Sequence, residues 1–309
     1  RKNNRREYES WINSDIILLL ENTEGKYMFA GFNLEIDKHF FESQQKSFHE
    51  YQKIGEEHLG AQCDGIENAL SEYINNNIVD GSKIQKDWFP EVDADIFLSH
   101  SSGDKELVNA IAGWLNDTFN LKCFVDSNVW CYAGDISEML NSNYSNKRSN
   151  DNGGYLYNHK QCLKVSEHVN TMLNIALQKM IDKCESVFLI NTEKSIHINS
   201  DSKSIDITYS PWIYSELVCS EIVRKKPLYF YRYNTELYHS INESRRFEAT
   251  SNNLTISYNA PTQHLIKINQ DVLEQWNRQF DMEYPFPLDL LYMDYFKDVV
   301  EETKRYFKY

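Results

Sequence analysis

The chain has 309 residues, more than one typical domain needs, and 41% of them are apolar and 14% aromatic, with tyrosine alone occurring 20 times. That much apolar and aromatic material can bury a core and excludes a broadly disordered chain. A formal net charge of −14 and a pI of about 5.1 repel phosphate backbones and anionic lipid, so neither nucleic acid nor a membrane is expected as a partner.

The six cysteines, Cys63, Cys123, Cys131, Cys162, Cys184 and Cys219, form no CxxC pair. They point to a reducing, cytoplasmic compartment, and no metal-ligand spacing is visible. The longest apolar run near the start, residues 16–20, is far too short to span a bilayer.

In chain order, residues 1–90 read as a mostly helical region. Residues 34–55 and 60–75 have helix-compatible spacing, and Trp88-Phe89-Pro90 marks a boundary. From residue 91 to about 260 short apolar runs alternate with amphipathic stretches. Strands are expected at 95–100, 121–126, 186–192 and 227–233, with a fifth at 254–257 or 264–268. Helices are expected at 104–119, 169–183 and 212–224. Residues 261–309 form a helical C-terminal extension with helices at 270–280 and 288–307. Strand–helix alternation of this kind predicts an α/β fold with a parallel sheet covered on both faces, binding ligands beyond the carboxyl ends of its strands. Two stretches interrupt the pattern. One is a long connection at 127–167, whose centre is rich in Asn, Ser, Gly and Tyr and has the composition of a mobile loop; the other spans 194–208. With 11 glycines and no glycine-rich phosphate loop, the Rossmann and P-loop classes are excluded.

Two strings carry a resemblance. The first is Asp95-Ile96-Phe97-Leu98-Ser99-His100-Ser101-Ser102-Gly103-Asp104-Lys105, and the second is Ser210-Pro211-Trp212-Ile213-Tyr214-Ser215-Glu216-Leu217. With Phe124-Val125-Asp126 between them, residues 93–233 resemble a TIR (Toll/interleukin-1 receptor) domain: its opening strand and loop, its second strand leading into the BB loop, and the third-helix motif that carries the Glu of NAD-cleaving members. The resemblance implies a flavodoxin-like fold and a BB-loop insertion at 127–167, longer than is usual in the family. It implies NAD+ as substrate rather than cofactor, and Glu216 as the catalytic acid.

The residues themselves suit that expectation. Ser210 and Pro211 make a good helix start, and Trp212 and Glu216, four apart, share a helix face, so that Trp212 either borders the substrate or packs in the core. Breaking the nicotinamide–ribose bond creates a cationic sugar and releases a neutral ring. One carboxylate suffices, where ordinary glycosidases use two. Ser99, His100 and Ser101 end the first strand of this segment and can reach phosphate or ribose oxygens. Asp126 either touches ribose or shapes a turn, Asp104 reads as a helix N-cap, and Trp130 either stacks on a ring or packs its loop down.

The function expected is therefore that of an NAD+ glycohydrolase or ADP-ribosyl cyclase or transferase in antiviral, anti-phage defence. Such an enzyme would self-associate through TIR–TIR contacts, and would answer to a phage-derived trigger or supply a signal to a separate effector protein. A non-enzymatic TIR scaffold that signals by self-association is the alternative. A nucleoside deoxyribosyltransferase-like hydrolase would share the chemistry but not the order of motifs.

Overall fold

The computed structural model describes residues 30–60, 70–75, 78–126, 133–146, 148–149, 155–198, 205–223, 225–233, 256–282 and 284–307. Its centre is a five-stranded sheet built from β1 (Ala30–Glu35), β2 (Ile96–Ser99), β3 (Cys123–Phe124), β4 (Ser186–Asn191) and β5 (Ile266–Asn269). The spatial order is β5-β1-β4-β2-β3, and every neighbouring pair is parallel. The fold is α/β, and its parallel sheet, flanked by helices, is compatible with a flavodoxin-like arrangement.

The apolar alternation along the strands decides which helices cover which face. Phe32, Leu34, Ile96, Leu98, Phe188 and Ile190 point to one side. There they meet α1 (Phe48–Gly60), α3 (Lys105–Phe119), α8 (Gln270–Gln279) and α9 (Pro287–Phe307). Phe97, Phe124 and Val187 point to the other, against α2 (Gly81–Trp88), α4 (Ala133–Tyr144), α5 (His159–Lys183) and α6 (Pro211–Ile222). The first core draws on all three sequence segments. Trp114 of α3 meets Phe40 edge-on at 5.0 Å, and Phe119 stacks on Trp276 of α8 at 4.0 Å.

Several sequence expectations are corrected. The strand expected at 227–233 is a short helix, α7 (Leu228–Tyr233). Its run of aromatic residues favours a strand, but burial falls on Leu228 and Arg232, four apart, which is a helical period. The place beside β4 is taken by β1, from the region read as helical. Residues 34–55 are not one helix: β1 is followed by a 3-10 turn (Lys38–Ser43), capped by Asp37, and then by α1. All of β1 except Glu35 is buried between β4 and β5, so pairing on both edges overrides the helix-compatible spacing. Of residues 60–75, those at 61–69 lie outside the described residues, and the remainder is a 3-10 turn (Leu70–Tyr73) leading into a small hairpin. In the connection at 127–167, residues 127–132, 147 and 150–154 lie outside the described residues. The rest carries α4, a hairpin pairing Arg148–Ser149 with Tyr155–Leu156, and an early start to α5, where Asn158 caps the Gln161 N–H at 3.2 Å. The stretch 194–208 supplies two strands, His197–Ile198 and Asp206–Thr208, of a small antiparallel sheet completed by Tyr258–Asn259. Of the two alternatives for the fifth strand, 264–268 holds β5. The expected helices at 104–119, 270–280 and 288–307 lie where α3, α8 and α9 do.

Two contacts stand out energetically. Helices α1 and α3 cross so closely that a Cβ on Gly55 would sit 1.8 Å from the Asn109 carbonyl oxygen, and one on Gly113 1.9 Å from that of Tyr51. At the amino end of β4, buried Glu185 takes two hydrogen bonds from Arg232, at 2.7 and 2.8 Å, and Arg232 also pairs with fully buried Asp289 of α9. The guanidinium lies 4.6 Å from the centre of the Phe286 ring.

Gly113→Ala is expected to lose about 2 kcal/mol or more of unfolding free energy in urea titration, because the backbones must part. Gly134→Ala, with open space around its Cα, is expected to change stability by less than about 1 kcal/mol. Arg232→Met is expected to cost about 3 to 5 kcal/mol in the same titration, because it strands two buried carboxylates. A loss under about 1 kcal/mol would show that the triad does not hold α7 and α9 to the sheet.

Candidate active site

The site is assembled from the carboxyl end of β2 and the first turns of α6. Ser210 caps α6, accepting a hydrogen bond from the Ile213 N–H at 3.2 Å, and Pro211 occupies the first turn. The buried stripe of α6 then runs Ile213, Glu216, Leu217 and Ser220. Ile213 and Leu217 pack with Leu189 of β4, so Glu216 lies on the face turned to the sheet and is only 3% exposed.

There the Ser99 hydroxyl, at the last residue of β2, donates to Glu216 Oε2 at 2.6 Å. Burial holds the Glu216 carboxyl well above the usual carboxylate range, and the nearby charge of Asp126 pushes in the same direction. The Ser99 hydrogen bond opposes them in part. His100 is 8% exposed, and its Nδ1 donates to the Leu98 carbonyl at 3.1 Å. The same nitrogen lies 3.8 Å from Asp126 Oδ1. The fold therefore brings Ser99, His100, Asp126 and Glu216 together at one edge of the sheet.

Other candidates fall elsewhere. Trp212 is half-buried and packs against the core around α5. Ser101 shapes the turn into α3, its carbonyl accepting from the Asp104 N–H at 2.8 Å. Asp104 sits at the N-cap position of α3 without a side-chain cap bond. Instead its carboxylate accepts from Thr192 Oγ1 at 2.5 Å and pairs with Lys194 at 3.1 Å, joining α3 to the loop after β4. Trp130 lies outside the described residues.

Sequence reasoning missed Thr192 and Lys194, and it missed a polar pair inside the sheet: Asn191 Nδ2 donates to Asn33 Oδ1 at 2.9 Å. The first two were visible only as polar residues just after a buried strand, and the pair only as amides among apolar neighbours. A cleft of about 1250 Å³ opens beyond the carboxyl ends of β1 and β4 and is bordered also by the start of α3. Asn33, Asn191, Asp104 and Lys194 are among its lining, and Ser99, His100, Asp126 and Glu216 are not.

Among the described residues no group of three or more His, Cys, Asp or Glu is placed to hold a metal ion, and no helix is long and apolar enough to cross a membrane. No family model, curated protein or solved structure matches the chain.

The raised Glu216 value has a thermodynamic consequence. Between the ordinary carboxyl range and that raised value the folded chain holds a proton that the unfolded chain has released. Stability falls as pH rises through this window, and the penalty is complete above it. Glu216→Gln removes the penalty, so its melting temperature is expected to exceed the wild-type value at pH 8. The gap should narrow as the pH is lowered towards 5. A variant that melts at or below wild type at pH 8 would show that burial does not burden this carboxyl.

Proposed function

We propose that the chain is a TIR-type enzyme that cleaves the bond between nicotinamide and ribose in NAD+, with Glu216 as its catalytic residue. The observation that supports this reading is the Ser99–Glu216 hydrogen bond. It joins residues 117 apart in sequence and holds one carboxyl at the carboxyl end of a central parallel strand. On this reading the glycosidic C–N bond breaks, its electron pair returns to the pyridinium nitrogen, and nicotinamide leaves uncharged. The positive charge passes to the ribose beside Glu216. A cation there favours the carboxylate over the acid and so opposes the effect of burial. Water or another acceptor then adds to the sugar, giving ADP-ribose or a derivative of it. The resemblance supplies the setting: cytoplasmic anti-phage defence, with self-association and a phage-derived trigger or separate effector as partners.

A second reading, a non-enzymatic scaffold that signals by self-association, is favoured by one observation: Glu216 is almost wholly buried and does not border the large cleft. On that reading Glu216 only ties α6 to β2.

The two readings separate in one experiment. The protein is incubated with NAD+, with and without an extract of phage-infected cells, and the products are identified by mass spectrometry. Enzyme catalysis is expected to fall at least about 100-fold in Glu216→Gln. In the wild type, activity should rise with pH as the carboxyl ionises. A folded Glu216→Gln variant with near-normal cleavage would remove this residue from the mechanism. No cleavage under either condition would favour the scaffold.

A further inference from the structure

Strand β4 lies between β2 and β1, and the chain leaves these three strands in different directions. After β1 and β2 it passes to α1 and α3 on one face of the sheet, and after β4 to α6 on the other. A crevice is therefore expected beyond the carboxyl ends on each side of β4, because that is where such connections diverge. On the β2 side lie Ser99 and Glu216. The 1250 Å³ cleft lies over the carboxyl ends of β1 and β4 and is walled on its far side by Ser102–Leu107, at the start of α3; it is large enough for a small-molecule ligand.

Its floor contains an unusual group. Asn33 is only 1% exposed and lies mid-strand in β1. Its Oδ1 accepts from Asn191, but its Nδ2 has no acceptor among the described residues, and the side chain borders the cleft. Nor does Asn191 Oδ1 have a donor among them. The pair so presents one unfilled donor beside one unfilled acceptor, and turning both amides over leaves the same two groups in exchanged places. Both groups open onto the cleft, so the edge of one ligand can meet donor and acceptor together. Seven carboxylates and four lysines line the same cleft. Two of those lysines are already engaged, Lys38 with Glu106 at 3.0 Å and Lys194 with Asp104. The excess of negative charge disfavours phosphorylated ligands.

We propose that the cleft between β1 and β4 is a second binding site, separate from Ser99 and Glu216, for a ligand without negative charge whose edge carries an adjacent N–H donor and acceptor. Both a free carboxamide and an unphosphorylated nucleobase offer that edge. The site does not depend on NAD+ cleavage: loss of the enzymatic reading with binding intact would leave it standing.

The test is calorimetric titration of the whole chain with nicotinamide, adenosine and adenosine monophosphate, on wild type, Asn33→Asp, Asn191→Ala and Glu216→Gln. Asn33→Asp keeps the acceptor for Asn191 and removes the donor. Asn191→Ala, at a half-buried position, serves if the first variant does not fold. Nicotinamide or adenosine is expected to bind with a Kd under about 1 mM. Either amide variant should weaken it at least tenfold, about 1.4 kcal/mol, whereas Glu216→Gln leaves it unchanged. Which of the two probes binds distinguishes a carboxamide from a nucleobase. Three results would overturn the proposal: no binding of either at about 10 mM, binding indifferent to both amide variants, or tighter binding of the monophosphate than of adenosine.

Discussion

Strand β4 must be hydrogen-bonded along both edges. Its first five residues, 186–190, are buried, and a buried peptide group without a partner costs about as much as a lost hydrogen bond. One edge is met by β2, 90 residues earlier in the chain, and the other by β1, drawn from the beginning of the described chain. The register of these pairs sets what stands beside what beyond the strands. Because Leu98 pairs with Phe188, Ser99 ends opposite Leu189 and reaches the face where α6 packs. Because Leu34 pairs with Ile190, Asn33 comes within reach of Asn191.

The two ends of β4 handle buried charge in opposite ways. At the amino end, Glu185 is ionically and geometrically matched by Arg232, whose planar fork fills both carboxylate oxygens and reaches Asp289 as well. Such an arrangement holds helices to a sheet and leaves little chemistry available. At the carboxyl end, Glu216 is set by burial, by an acidic neighbour and by a single hydroxyl donor. A carboxyl so placed is poorly satisfied as an anion, which makes it responsive to any cation brought alongside. One strand thus separates a carboxylate matched by a cation from one held against its charge by burial.

Much of the α/β pattern was legible in the residues. The apolar runs at 95–100 and 186–192 and the helical rows in α3, α5 and α6 carry their periods openly. The cap at Ser210-Pro211 fixed where α6 begins, and its spacing put Glu216 three residues after inward-facing Ile213. That offset was the signal for burial. Strand β1 was not legible, because Gly31 and Asn33 interrupt its apolar run, its neighbours are aromatic and charged, and its stability comes from partners far away in sequence. The aromatic run after Pro227 misled for the converse reason: strand propensity is a packing preference, and here the packing available was that of a helix end. The amide pair was hidden because neither Asn33 nor Asn191 has meaning without the register that joins them.

The pairing of β1 also governs how the chain reaches its folded state. The Ser186 hydroxyl and the Ala30 carbonyl it binds are 156 residues apart. At ribosomal speeds of about 5 to 20 residues per second, roughly 8 to 30 seconds pass between the synthesis of β1 and that of its partner. For that time Phe32 and Leu34 form part of an apolar segment with both edges open, the kind of surface that recruits chaperones or a neighbouring chain. The long closure that builds the middle of the sheet makes folding slow and late, since contacts of high sequence separation must be made before the core repays their entropy. A fragment beginning after residue 90 would lack that strand altogether, and with it the partner that keeps β4 from being an exposed edge.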